Sequence, residues 1–194
     1  MNLPNKLTLL RVLLIPFFLL FMYIDVPFSY MIALVIFSAA SITDALDGKI
    51  ARKRGLVTNF GKFLDPLADK VLVISALTVF VEADNVNMGA VPLIIIIARE
   101  FMVSGLRLLA ADSGIVVAAG IWGKLKTAFT MVTIIAILFW LSLCFDFEFD
   151  IPCRFCDAVN DIVIPVLIWI STALTVISGA VYLKGYWHLI DADK

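Results

Sequence analysis

The chain has little of what a soluble, zinc-binding or disulfide-stapled protein needs. Among its 194 residues there is one histidine, His188, and only three cysteines, Cys144, Cys153 and Cys156, all near one stretch. A thiolate or imidazole metal centre requires a second pair of such ligands, so Cys153 and Cys156 read as ordinary loop cysteines rather than as half a zinc site. Charge is scarce too, at 16% of residues, and no long polar stretch separates the apolar ones to form a water-facing domain. What remains is apolar. The hydrophobic fraction is 62% and the mean hydropathy +1.05, against roughly 45–50% apolar residues in an ordinary soluble domain. The composition predicts a single membrane domain over residues 1–194.

Apolar runs near or above the ~20 residues that cross a bilayer core occupy about 7–24, 28–53, 60–82, 90–111, 121–145 and 160–184. The expected fold is therefore an all-α integral membrane protein with six transmembrane helices. The first run lacks a small-residue cleavage pattern and is predicted to stay as a helix. Six spans put the connections near Asp25–Pro27, Glu82–Gly89 and Asp146–Asp161 on one side, and those at 49–58 and 112–120 on the other. The first side carries Asp25, Glu82, Asp84, Asp146, Glu148, Asp150, Asp157 and Asp161, with Arg154 its one basic residue. The second carries Lys6, Arg11, Lys49, Arg52, Lys53, Arg54, Lys62, Lys124, Lys126, Lys184 and Lys194. The positive-inside bias assigns that basic side to the cytoplasm. Most of its lysines need no role beyond topology and contact with anionic lipid head groups.

Carboxylates are costly in such helices, about 2.5–3.5 kcal/mol each on the gentler insertion scale, yet four occur between residues 44 and 69. Asp44 and Asp47 lie three apart near the end of the second run, Asp65 and Asp69 four apart near the start of the third. At roughly 100° per residue, Asp44, Asp47, Gly48 and Ala51 share one stripe of a helix, and Gly61, Asp65 and Asp69 share another. The small residues in these stripes leave room for a bulky ligand or a close backbone. Four anions in one cleft repel, and oxygen-seeking Mg2+ or Mn2+ is the simplest neutralising partner where neither His nor Cys is at hand. The plainer alternative is pairing with Arg52, Lys53, Arg54, Lys62 and Lys70. Pro66 leaves two local readings open: a helix that kinks or restarts there, or Asp65 as an N-cap.

Asp44-x2-Asp47-Gly48-x2-Ala51-Arg52-x8-Gly61-x3-Asp65-x3-Asp69 resembles, at every fixed position, the signature of the CDP-alcohol phosphotransferase family. The resemblance implies a six-helix membrane fold, a homodimer, and two divalent metal ions, Mg2+ or Mn2+, held by Asp44, Asp47, Asp65 and Asp69. It implies that Gly48, Ala51, Arg52 and Gly61 border the CDP group, and that Asp69 also acts as the general base toward the attacking hydroxyl. An aspartate has an ordinary pKa of ~3.9, so that role needs metal assistance or a partly dry site.

The acceptor must be read outside the signature. Arg99 and Arg107 lie in the apolar fourth run, eight apart and thus about 80° around a helix, so they can face one cleft. Arginine inside a membrane marks function by default, and its forked donors suit phosphate. Lys124 and Lys126 open the fifth run and can complete an anion pocket; snorkelling, or pairing with Glu100 and Asp112, is the alternative. Ala98-Arg99-Glu100, Val103-Ser104-Gly105-Leu106-Arg107, Gly123-Lys124-x-Lys126-Thr127 and the opening Asn2-Leu3-Pro4-Asn5-Lys6-Leu7-Thr8-Leu9-Leu10-Arg11 resemble the glycerol-3-phosphate-accepting branch of the family. That likeness implies CDP-diacylglycerol and glycerol 3-phosphate as substrates, at the cytoplasmic face of a bacterial cell membrane. Thr8 and Arg11 either reach the acceptor or cytidine end or form the first turn and interfacial anchor of an ordinary helix.

Membrane lipids are the other expected partners, and no nucleic-acid partner is expected. Rival readings are a relative using inositol phosphate, serine or phosphatidylglycerol, and a cation transporter. Transport predicts carboxylates spread through the bilayer depth and an inverted repeat, neither of which the sequence displays. His188, beside Tyr186 and Trp187, reads as part of an interfacial aromatic belt. The alternation of aromatics and acids from Phe145 to Asp150 is assigned no chemistry.

Overall fold

The computed structural model describes residues 3–54, 59–112, 120–147 and 153–187, with side chains described for 7–43, 67–111, 120–147 and 155–187. Among the described residues the chain is helical and has no strand. The helices are α1 (Leu3–Tyr23), α2 (Ser29–Arg54), α3 (Asn59–Glu82), α4 (Ala90–Asp112), α5 (Ile121–Leu141), α6 (Cys153–Ala158) and α7 (Ile164–Tyr186). Wider π-helical turns extend α5 over Ser142–Asp146 and join α6 to α7 over Val159–Val163. The first five long helices fall within a few residues of the expected runs. The last starts earlier, because α6 and its π turn continue into α7 where the sequence reading began a helix at 160.

Among the described residues, two helical stretches, Ile121–Asp146 and Phe155–Tyr186, are long and apolar enough to cross a membrane, and Leu7–Tyr23 and Ser29–Thr43 are further apolar stretches. Charged residues already singled out interrupt the apolar sequence of α3 from Lys62 to Lys70 and that of α4 at Arg99, Glu100 and Arg107. Large apolar side chains cover much of the exterior, among them Leu108 (74% exposed), Phe101 (62%) and Val132 (61%). Such a surface suits acyl chains better than water.

Contacts divide the chain into two compact units, Met1–Val86 with Ile134–Cys156, and Asn87–Thr133 with Asp157–Lys194. In the first unit α1 packs on α2 and α3, which also touch each other. Lipid tails are as apolar as leucine, so helices in lipid associate through close packing rather than hydrophobic gain. Accordingly, Ala33 and Ala40 of α2 and Ala68 and Ala76 of α3 are buried, with Phe18 and Phe37 meeting at 5.8 Å between ring centroids. Tyr23 donates to Glu82, tying the end of α1 to the end of α3.

The start of α2 is held from afar. Asp146 accepts hydrogen bonds from the backbone N–H groups of Tyr30 (3.3 Å) and Met31 (2.6 Å), two of the orphan donors of a helix N-terminus. Phe28 enters the helix in a left-handed conformation (φ 61°), and its ring packs on Phe147 at 5.5 Å. The acid–aromatic stretch that opens at Phe145 thus has a structural use at Asp146 and Phe147. Nearby, Trp140 meets Phe155 at 5.9 Å, and the Cys144 thiol interacts with that of Cys156. The side chain of Cys153 lies outside the described residues.

In the second unit α4 packs against α7. Three buried hydroxyls bond back to their own helix, Thr130 to the Lys126 carbonyl, Thr172 to Ile168 and Thr175 to Ser171, and Thr130 also meets Ser171 at 2.7 Å between α5 and α7. These pairings matter because an unsatisfied hydroxyl has no water to turn to in lipid.

Candidate functional site

The signature aspartates sit on two helices that touch. Asp44 and Asp47 belong to α2, and Asp65 and Asp69 to α3. Both backbones are helical through these positions, so spacings of three and four keep each pair on one helix face. The helix does not restart at Pro66, and Asp65 is not an N-cap, because α3 begins at Asn59. Asp69 is half-buried. The side chains of Asp44, Asp47, Gly48, Ala51, Arg52, Gly61 and Asp65 lie outside the described residues. Among the described residues no three carboxylates, imidazoles or thiols gather; of the four aspartates these include Asp69 alone. An all-oxygen donor set on two adjoining helices fits a hard divalent cation.

Thr8 and Arg11 of α1 are buried, at 1% and 0% exposure. A fully buried guanidinium is not an interfacial anchor, so the plainer reading of Arg11 as a surface-seeking residue fails.

The second unit assembles a polar cluster from α4, α5 and α7. Arg99 donates through Nη1 to Glu100 Oε1 (2.9 Å) and through Nη2 to Ser178 Oγ (2.6 Å). Lys126, only 4% exposed, donates to the same Glu100 oxygen. Arg107 donates through Nη2 to the hydroxyl of Tyr182 (3.1 Å), which also accepts from the backbone N–H of Gly120 (2.9 Å). Both guanidiniums approach the Tyr182 ring, with Cζ to centroid 5.7 Å for Arg99 and 5.5 Å for Arg107. Arg99 and Arg107 thus meet at one tyrosine, as their spacing allowed. Lys124 does not join them: it is exposed, and two residues from Lys126 it points about 200° away on the same helix.

Two glycines make the cluster possible. A Cβ on Gly179 would lie 3.0 Å from Arg99 Cγ and 3.3 Å from Met102 Cε, and one on Gly123 would lie 3.3 Å from the Tyr182 hydroxyl. Glu100, Ser178 and Tyr182 escaped the sequence reading as site residues, although Glu100 was named as a pairing partner. A signal existed. The buried positions Ser171, Thr172, Thr175, Ser178, Gly179 and Tyr182 recur at three- and four-residue spacing, which marks a small and polar face on an otherwise apolar helix.

The cluster carries three cations against one carboxylate, a surplus of two positive charges, with Lys126 buried, Arg99 half-buried and Arg107 exposed. That arrangement suits a dianionic phosphate, and the aspartate helices suit a cation.

The CDP-alcohol phosphatidyltransferase family model matches residues 1–178, and the chain belongs to that family. It is 40% identical to the CDP-diacylglycerol--glycerol-3-phosphate 3-phosphatidyltransferase of Bacillus subtilis (strain 168), over 100% of this chain and 99% of that protein. It is 36% identical to the Pseudomonas fluorescens protein of the same name, over 100% of this chain and 94% of the relative. With the Escherichia coli (strain K12) protein of that name it shares 44% identity over 72% of this chain and 77% of the relative.

Proposed function

We propose that the chain transfers a phosphatidyl group from CDP-diacylglycerol to glycerol 3-phosphate, giving phosphatidylglycerophosphate and CMP. Likeness across the full length to transferases of that name supports the reaction. The observation that carries the acceptor is the gathering of Arg99 and Lys126 on the single carboxylate of Glu100, with Arg107 beside Arg99 on Tyr182. Serine, being zwitterionic, would not call for two surplus positive charges; the phosphate of glycerol 3-phosphate does.

In this reading the acceptor's primary hydroxyl oxygen attacks the phosphorus that bears the diacylglycerol. The bond from that phosphorus to the bridging oxygen breaks, and CMP leaves with that oxygen. Asp69 takes the hydroxyl proton. Gly48, Ala51, Arg52 and Gly61 border the CDP group, the glycines and alanine by leaving room for it. Two divalent metal ions, Mg2+ or Mn2+, held by Asp44, Asp47, Asp65 and Asp69 would supply charge neutralisation of the pyrophosphate. Arg99, Arg107 and Lys126 bind and orient the acceptor phosphate, and Thr8 and Arg11 contribute buried polar contacts toward the substrates. Lys124, exposed, serves as a head-group contact.

The reading extends to a six-span bacterial cell-membrane protein, a single domain and a homodimer, with its active site facing the cytoplasm. The basic loops, the apolar exterior and the family support it. The test is an acceptor panel on purified protein with CDP-diacylglycerol, with and without Mg2+ or Mn2+. Metal-dependent CMP release with glycerol 3-phosphate is expected. Release with inositol phosphate, serine or phosphatidylglycerol, but not with glycerol 3-phosphate, would overturn the acceptor while leaving the family intact.

A further inference from the structure

We propose that Tyr182 is a positioning residue for the acceptor phosphate, fixing the guanidiniums of Arg99 and Arg107 and the entry to α5 in one arrangement; this rests on the acceptor reading above. Two guanidiniums brought together repel, and Glu100 hydrogen-bonds to only one of them, Arg99. The second is held by Tyr182, in two ways. Its π face carries negative charge density toward which both guanidiniums lie, at 5.7 and 5.5 Å. Its phenolic oxygen accepts from Arg107 Nη2 and from the Gly120 N–H, so one atom sets both a side chain of α4 and the backbone that opens α5. Lys126, six residues on from Gly120 along α5, is thereby tied to the same reference point.

The surroundings are shaped for this ring. Gly123 lacks the Cβ that would crowd the hydroxyl, and Gly179, one turn before Tyr182 on α7, lacks the one that would crowd the Arg99 stem. Ser178 accepts from Arg99 on the same face of α7. Tyr182 is 5% exposed, unlike a tyrosine of an interfacial belt, whose hydroxyl reaches water. The rival account makes Tyr182 a packing residue of the α4–α7 contact. Packing alone would be served equally by phenylalanine, so the hydroxyl is what distinguishes the two.

The experiment is steady-state kinetics on the purified full chain in lipid nanodiscs with Mg2+, varying glycerol 3-phosphate and CDP-diacylglycerol separately. Tyr182→Phe keeps the ring and loses the acceptor for a charged donor; the KM for glycerol 3-phosphate is expected to rise roughly tenfold, with kcat and the KM for CDP-diacylglycerol within about twofold of the parent. Gly123→Ala, which presses a methyl on the same hydroxyl, should shift the same constant in the same direction by less. An unchanged KM for glycerol 3-phosphate in Tyr182→Phe, or a fall in kcat and in affinity for both substrates together with a lowered unfolding temperature, overturns the positioning role. Arg99→Gln and Arg107→Gln separate the two levels. If neither raises the KM for glycerol 3-phosphate, the acceptor reading fails; if both do and Tyr182→Phe does not, only the role of Tyr182 fails.

Discussion

Two polar regions of this apolar chain are built on different plans. One is local: Asp44, Asp47, Asp65 and Asp69 lie on two consecutive helices, α2 and α3, and all four carry the same charge. The other draws on residues from 99 to 182 and mixes three cations with Glu100, Ser178 and Tyr182. Four like charges at matched positions of adjoining helices call for a ligand of opposite sign, so the use proposed for them is read from their composition. A mixed cluster partly neutralises itself, and its purpose lies in the residual charge and in how rigidly the cations are held. For the reaction proposed here, the first region should therefore govern turnover and the second should govern acceptor affinity.

The largest effect is expected in the first region. In the proposed reaction, Asp44→Asn, Asp47→Asn or Asp65→Asn would remove a charged ligand of the metal ions that neutralise the pyrophosphate. Several kcal/mol of transition-state stabilisation, on the order of a thousandfold in kcat, should be lost. CMP release measured across a Mg2+ or Mn2+ titration checks this. Asp69→Asn should lower turnover comparably, and retained turnover with intact metal binding would remove it from the role of base. The contrast between the regions breaks if Arg99→Gln abolishes CMP release at saturating glycerol 3-phosphate while the asparagine variants alter only a KM.

The two regions also differ in how far the sequence revealed them. The placing of the aspartates in pairs on two helices was legible because helical periodicity acts over a few residues, and α2 is helical at Asp44 and Asp47 and α3 at Asp65 and Asp69. Arg99 and Arg107 were legible for a similar reason, being cations eight apart in an apolar helix. That both would meet one tyrosine was not, since Tyr182 lies 75 residues beyond Arg107 and resembles, in sequence, an aromatic at the end of a membrane helix. Lys124 and Lys126 show the reverse case: their spacing of two already sets them on opposite faces of α5, and only Lys126 turns inward. The N-terminal cap of α2 is supplied by Asp146, 115 residues from Met31, a pairing that no local pattern announces.

A smaller effect sharpens the picture of the second region. Gly179→Val should raise the KM for glycerol 3-phosphate by roughly tenfold, because a Cβ already lies 3.0 Å from Arg99 Cγ and a branched side chain must displace the arginine. Gly105→Ala is the matched control on α4. Its Cβ would meet nothing within 4 Å, so the same kinetic constants should hold. The unfolding temperature should, if anything, rise, since alanine is favoured over glycine within a helix by about 1 kcal/mol. Equal damage from both substitutions would mean that α4 and α7 respond to any added bulk and that the Arg99 seat is not special.

The smallest expected effect lies outside both regions. Asp146→Ala strips the carboxylate that caps α2 at Tyr30 and Met31, at a cost of about 0.5–2 kcal/mol in stability. Along a helix rising ~1.5 Å per residue, Asp44 lies some 20 Å from that cap. The loss should therefore fray the first turn of α2 without disturbing the carboxylate face at its other end. A lower unfolding temperature with kcat and both KM values unchanged is the expected result, and Asp146→Asn, which keeps an acceptor oxygen, should recover part of the stability. A loss of turnover in Asp146→Ala in step with its stability would show instead that α2 moves as a rigid rod, carrying Asp44 and Asp47 with it when its far end is released.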